Sequence, residues 1–295
     1  MNVSEDDLTP QQLRAALAAS QQQVADMAAA QDEFLRAVSH DLRAPLRHVT
    51  SYGTLVREVL AGLPAEAGAA EDVREALGFL ATMDQSARRM GLMLDGLLAI
   101  ARATRAPLLP RPVPLAQALE QAQAQAQIHA SSQAAACDPG GAATPVTWRV
   151  GADLPTLQAD PALLQELLVQ LLANAIKFSR GSAQPVVAVT AVTAVTAVTA
   201  VTAAGAGEVP AGHVAFTIED NGAGFDPARA GQLFGVFQRL HRESEFEGVG
   251  AGLALCRTIA RRHGGDVSAS ARPGAGCTVR VQWPAAAPDG PVQQF

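Results

Sequence analysis

The sequence predicts a chain in two parts, α followed by α/β: a helical hairpin that pairs into a dimeric four-helix bundle, then an α/β domain. Three observations predict it. Two long stretches, ending near residue 101, carry apolar residues at helical spacing. A segment with four prolines, residues 102–114, then closes the helical part. Beyond it, strand-like and helix-like stretches alternate, with two glycine-rich loops between them.

Residues 8 to 61 read as one long helix, with Leu35, Val38, Leu42, Leu46, Val49, Val56 and Leu60 stepping mostly by three and four. Gly and Pro in "AGLPAEAGAAED" (61–72) break it. A second helix carries Val73, Leu77, Leu80, Ala87, Leu94, Leu98 and Ala101 on one stripe. A hairpin this thin leaves its own stripe uncovered, so a second copy of the chain is the expected cover.

After the prolines, 115–136 reads as helix and "PVTWRVG" (145–151) as strand. Asp160 followed by Pro161 is a helix start, with Asp as N-cap and Pro at the first helical position. That helix runs to about Phe178 on Leu163, Leu164, Leu167, Leu168, Leu171 and Leu172. Strands are expected near 185–202 and 213–219. A short helix lies between the two glycine-rich loops, and a longer one reaches His263 and is closed by Gly264. Strands near 266–271 and 277–283 end the domain. The tract 188–202 is five copies of Ala-Val-Thr, a period that suits neither a helix nor a one-sided strand. An elongated hairpin arm or an insert without fixed structure is expected there, with no function assigned.

Bulk properties narrow the function. The 295 residues carry a net charge of −6 and 48% hydrophobic residues. The acidic balance gives no electrostatic case for nucleic acid or a membrane surface. No stretch approaches the roughly 20 apolar residues that span a bilayer, and "MNVSEDDLTPQQL" is acidic where a signal peptide is basic and then apolar. Cys137, Cys256 and Cys277 are far apart and show no metal or redox spacing. A cytoplasmic location is expected.

The chemistry-bearing residues follow in order. In "RAVSHDLRAPL" (36–46), His40 lies about 200° around the helix from both Val38 and Leu42, so it faces away from the apolar seam. Asp41 can accept a proton from one ring nitrogen and leave the other free as a nucleophile. Pro45 removes the hydrogen bond to the carbonyl of Asp41, so the helix should bend there. In "LLVQLLANAIKFSR" (167–180), Asn174 offers a hard amide oxygen to Mg²⁺, and Lys177 stands a turn away to lie by phosphates. Asp220 ends a strand as an acceptor fit for the exocyclic amine of adenine, with Gly222 and Gly224 behind it. Gly248, Gly250 and Gly252 open a helix, where backbone N–H groups and the helix dipole favour phosphate.

Together "SHDLRAPL", "LLANAIKF", "DNGAGFD", "LFGVFQRLHR" and "GVGAGLAL" resemble the H, N, G1, F and G2 boxes of the sensor histidine kinase core of two-component systems. The wording "FGVFQRLHR" with "GLALCRTIARRHGG" is similar to the phytochrome-type kinases. The resemblance covers roughly residues 30 to 284. It implies a dimeric hairpin joined to a Bergerat-type α/β sandwich, and ATP and Mg²⁺ as cofactors. It implies phosphorylation of His40 with Asp41 beside it, then transfer to an aspartate of a response-regulator receiver domain. The implied division is a helical or coiled-coil segment 1–33, a dimerisation and phosphoacceptor domain 34–104, a linker 105–111, an ATP-binding domain 112–284 and a tail 285–295. By the same resemblance Asn174 is the Mg²⁺ ligand, Asp220 the adenine reader, and Gly222 and Gly224 the turn under the base. Gly248, Gly250 and Gly252, with Leu253 after them, are the phosphate-side loop, and Thr278 holds a water near adenine. Phe234 and Phe237 are either the F box or core packing. Arg239 and Arg242, in a stretch resembling the mobile lid, either reach the γ-phosphate or are solvated.

Three departures stand out. Ala44 occupies the position four after the histidine where the family's phosphatase activity relies on Thr or Asn, so that activity is expected to be weak or absent. Gln170 replaces the first Asn of the N box. The Ala-Val-Thr tract stretches the interval from Asn174 to Asp220 and, placed at a hairpin tip, should leave the nucleotide site intact. No sensor domain is legible, so a separate sensor protein is one possible input. Two rival readings stand beside the kinase: another ATPase or serine kinase on the same fold, and a catalytically degenerate dimeric scaffold.

Overall fold

The computed structural model describes residues 42, 44–60, 70–137, 145–192, 209–210, 212–242 and 245–285. His40 and Asp41, the bend expected at Asp41, and most of the Ala-Val-Thr tract lie outside the described residues. The chain divides into two compact units, Met1–Met90 and Gly91–Phe295.

In the first unit, helix α1 covers 44–60, and helix α2, Ala70–Arg105, begins. Pro45, Val49, Tyr52 and Val56 turn inward at heptad-like spacing, opposite Ala76, Phe79, Met83 and Ser86. The Tyr52 ring stacks on Phe79 with centroids 5.5 Å apart. Gly53 admits Met83, whose Cε would lie 3.4 Å from a β-carbon at that position. The leucine stripe is a separate face: Leu46, Leu60, Val73, Leu77 and Leu80 are all exposed, Leu77 by 59%.

The second unit holds the remainder of α2 and the mixed α/β domain. Strand β1 (Arg111–Pro114) pairs antiparallel with β3 (Thr156–Ala159). Both are short strands that periodicity did not mark, because "RPVP" reads as a breaker. Helix α3 (Leu115–Cys137) leads to β2 (Thr147–Val150), and α4 (Pro161–Ser179) follows β3. Then come β4 (Val186–Val192), β5 (His213–Asp220), a 3₁₀ turn (Pro227–Gln232), α5 (Gly252–Arg262), β6 (Asp266–Ala271) and β7 (Cys277–Pro284). The main sheet runs β2-β4-β5-β7-β6, parallel only between β2 and β4.

Helix α4 organises this unit. Asp160 caps it as the sequence predicts, its Oδ1 accepting from the N–H groups of Ala162 at 3.0 Å and Leu163 at 3.2 Å. Leu164, Leu167, Leu168 and Leu172 are completely buried, and α4 packs against α3, α5 and β5. Phe216, Val281 and Trp283 fill the core from the sheet. Trp283 keeps its indole N–H satisfied by donating to the Gln158 carbonyl at 3.0 Å. The end of α2 is tied to this core: Ile100 and Ala103 are buried in it, and Arg262 donates to the carbonyls of Ala103 and of Ala106, the latter at 2.7 Å. The segment after α2 is held by Leu109 N–H donating to Asp160 Oδ2 at 3.2 Å.

Candidate active site

A cavity of about 630 Å³ opens between α4, the end of β5, the glycine loop before α5 and the late turns of α2. Asn174 and Lys177 line it from α4, Asp220 and Gly224 from the end of β5, and Arg239 from the segment after the 3₁₀ turn. Gly248, Gly250, Gly252 and Leu253 close its far side. Nine of the residues singled out in the sequence thus converge on one space. Gly222, Arg242 and Thr278 are not among the described residues lining it. Cys277 and Val279 do line it, and because strand side chains alternate, Thr278 between them faces the other side of the sheet.

At the β5 end, the Asp220 carboxylate accepts from the Gly222 N–H at 2.9 Å. Burial pushes its carboxyl up to about 6, against the opposing pull of the Gly222 and Cys277 backbone N–H groups. The turn that follows is packed on the end of α4. Ala223 N–H donates to the Phe178 carbonyl at 3.1 Å, and a β-carbon at Gly222 would sit 2.1 Å from that same oxygen. Only glycine fits there, which ties the turn after Asp220 to the helix that carries Asn174 and Lys177.

At the other end, Gly250 has φ +80°, and a β-carbon there would lie 2.7 Å from the Gln238 carbonyl. Phe237 N–H donates to the Gly250 carbonyl at 3.0 Å, so the F-box segment and the glycine loop share a backbone contact. Phe237 holds φ 61° and is 7% exposed, while Phe234 is half-buried against the core under Arg257. Both aromatics therefore pack. Gln170 and Asn174, one turn apart on α4, face the start of α5. A β-carbon at Gly252 would meet Gln170 Oε1 at 2.8 Å and Asn174 Nδ2 at 3.9 Å. Two amide side chains thus stand beside a helix N-terminus: their oxygens are hard ligands of the kind Mg²⁺ would take, and the helix end suits phosphate.

Lys177 Nζ donates to the Glu247 carbonyl at 3.4 Å and lies 4.5 Å from the centroid of the Phe178 ring. Burial pushes its amine down to about 8; the Glu247 charge opposes that fall, and Arg239 and Arg180 add to it. Arg239 donates to the carbonyls of Gly248 and Phe246, the latter at 2.5 Å. Arg242 instead lies outward, where its N–H donates to Glu245 Oε2 at 3.2 Å. Phe178, His241 and Phe246 form an aromatic cluster, with Phe178 and Phe246 4.9 Å apart. Arg180, Glu247, Phe178 and Cys277 were not read as site residues from the sequence. Their contacts join positions too far apart along the chain for spacing to signal them.

Comparison with known proteins finds likeness to one group of kinases. The profile of the histidine kinase-, DNA gyrase B- and HSP90-like ATPases matches residues 159–287. Sensor protein CutS of Streptomyces coelicolor is 31% identical over 86% of this chain and 53% of its own length. The chain is similar to sensor histidine kinases over most of its length. Phytochrome-like protein Cph1 of Synechocystis sp. is 25% identical over 83% of this chain, which covers 28% of that protein. The chain therefore spans between about a quarter and about half of the length of these two relatives. Among solved structures, full-length ShkA, described in complex with AMPPNP, is similar with a TM-score of 0.48 and 23% identity, over 88% of this chain and 47% of that one. Helices come first in the chain, and a mixed α/β domain follows that the ATPase profile matches.

Proposed function

We propose that this chain is an ATP-dependent protein histidine kinase that phosphorylates His40 and passes the phosphoryl group to an aspartate of a response-regulator receiver domain. The observation that carries the reading is the single cavity that gathers Asn174, Lys177, Asp220, Arg239 and the Gly248–Gly252 loop. Its two ends differ in chemistry as a nucleotide's do. A buried carboxylate stands at one end for the exocyclic amine of adenine. Cations and a helix N-terminus stand at the other for phosphates.

Asn174, with Gln170 beside it, would hold Mg²⁺, which neutralises charge on the phosphates when bound. Lys177 and Arg239 supply positive charge at the same end, and Leu253 and Val279 exclude water along the wall. Asp41 keeps one ring nitrogen of His40 protonated, so the other attacks the γ-phosphorus with its lone pair. The N–P bond forms as the bond to the ADP oxygen breaks, and ADP leaves. In the second step a receiver carboxylate takes the phosphorus and His40 regains its free nitrogen. The exposed leucine stripe of the first unit supports a homodimer. Among the described residues, no helix is long and apolar enough to cross a membrane.

Nucleotide binding is the first test. Isothermal titration with ATP and Mg²⁺ should show one site per chain, abolished by Asn174→Ala. An Asn174→Ala variant that is folded and binds ATP as the parent does would remove the reading.

A further inference from the structure

The glycine loop enters the cavity wall through residues 246–248, and all three are fastened to other parts of the same unit. Phe246 packs on the Phe178 ring at the C-terminal end of α4. The carbonyls of Phe246 and Gly248 accept from Arg239. Between them, the Glu247 carbonyl accepts from Lys177. The Glu247 side chain adds a fourth hold of a different kind. Its two oxygens face the Arg180 fork, Oε1 at 2.6 Å from Nη2 and Oε2 at 2.9 Å from Nη1, with the Glu247 side chain 11% exposed. Arg180 is in turn anchored, its Nη2 donating to the Ala130 carbonyl near the end of α3 at 2.9 Å. The hydrogen bond at Oε2 and the close ion-pair contact at Oε1 together hold the carboxylate against the guanidinium.

We propose that Glu247, clasped by Arg180, is a positioning residue for the phosphate end of the nucleotide: it seats the leading edge of the glycine loop beside Lys177 before ATP arrives. This rests on the nucleotide-binding reading above. The pair touches neither the base nor the reacting atoms. It acts by ordering residues 246–248 in advance, so that binding phosphate does not have to order them. Its contacts predict a selective effect, since the pair holds the loop that leads to Gly248, whereas the Asp220 carboxylate is held by the Gly222 and Cys277 backbone N–H groups instead.

The test is calorimetric titration of Glu247→Ala, Arg180→Ala and the double variant with ATP–Mg²⁺ and, separately, with adenosine, alongside their thermal unfolding. Each single variant is expected to lose affinity for ATP on the order of tenfold while adenosine affinity stays at the parent value. The double variant should lose no more than either single one, because the two groups act as a unit. Glu247→Asp should recover part of the loss. Equal losses for ATP and adenosine, additive losses in the double variant, or unchanged ATP affinity would each overturn the proposal. Failure of the parent itself to bind ATP would overturn the nucleotide reading and this inference with it, and so is distinguishable from the other outcomes.

Discussion

In the proposed reading, Asp220 is the residue on which recognition of the base turns. Burial raises its carboxyl to about 6, so the charged acceptor is present above that pH and is converted to the neutral acid below it. Affinity for ATP should accordingly fall as pH drops from 7 through about 6, measured by titration at constant ionic strength. Asp220→Asn presents an amide where a carboxylate should accept, and should weaken ATP binding on the order of 10²-fold or more. A variant that binds ATP as tightly as the parent would show that the base lies elsewhere. Asp220 was legible in the sequence because it ends a strand and precedes two glycines. Thr278 is different. Its strand was legible, but whether an odd or an even position of β7 faces the cavity depends on pairing register, and the structure gives that face to Cys277 and Val279.

At the scale of the element, α4 and its start illustrate both what local chemistry determines and what it does not. The Asp160-Pro161 start was readable because capping is a matter of adjacent residues. Asp160→Ala should cost about 1 to 2 kcal/mol of stability, seen as a lower urea midpoint with unchanged slope. The second partner of that start was not readable. His263, 103 positions away, accepts from the Asp160 N–H at its Nε2 over 3.0 Å while its Nδ1 is 2.8 Å from the Ile259 carbonyl. That arrangement needs a neutral ring with the proton on Nδ1, and burial lowers the His263 pKa from its ordinary 6.5. A depressed histidine pKa means the stability is fully present above about 6.5 and is lost as pH falls through the lower folded value. Stability should therefore drop between pH 7 and pH 5, and His263→Asn should start lower and flatten that drop. A parent curve that is flat over this range would contradict the assignment. Strands β1 and β3 went unread for a similar reason: four residues each, one of them proline-rich, they become strands only through their mutual pairing.

At the scale of the whole molecule, the hairpin was legible as two helices with one stripe too many. The structure sorts that surplus into an inner face of Tyr52, Val56, Phe79 and Met83 and an outer one of exposed leucines. A monomer would leave Leu77, Leu80 and Leu46 in water, an unfavourable arrangement at roughly 25 cal/mol per Å² of apolar surface. Sedimentation of the parent should give the mass of two chains. Leu77→Glu combined with Leu80→Glu should shift it toward one without unfolding the ATP-binding unit. An unshifted mass would place the dimer contact elsewhere.

In the proposed reaction the cavity delivers phosphate from ATP to His40. The most direct measurement is incubation with γ-labelled ATP and Mg²⁺ of the parent, His40→Gln and Asp220→Asn. Label that appears on the parent, survives alkali, is lost in acid and is absent from both variants is the predicted result. Label that persists in His40→Gln would contradict the account, and so would a parent that binds ATP and takes up no label.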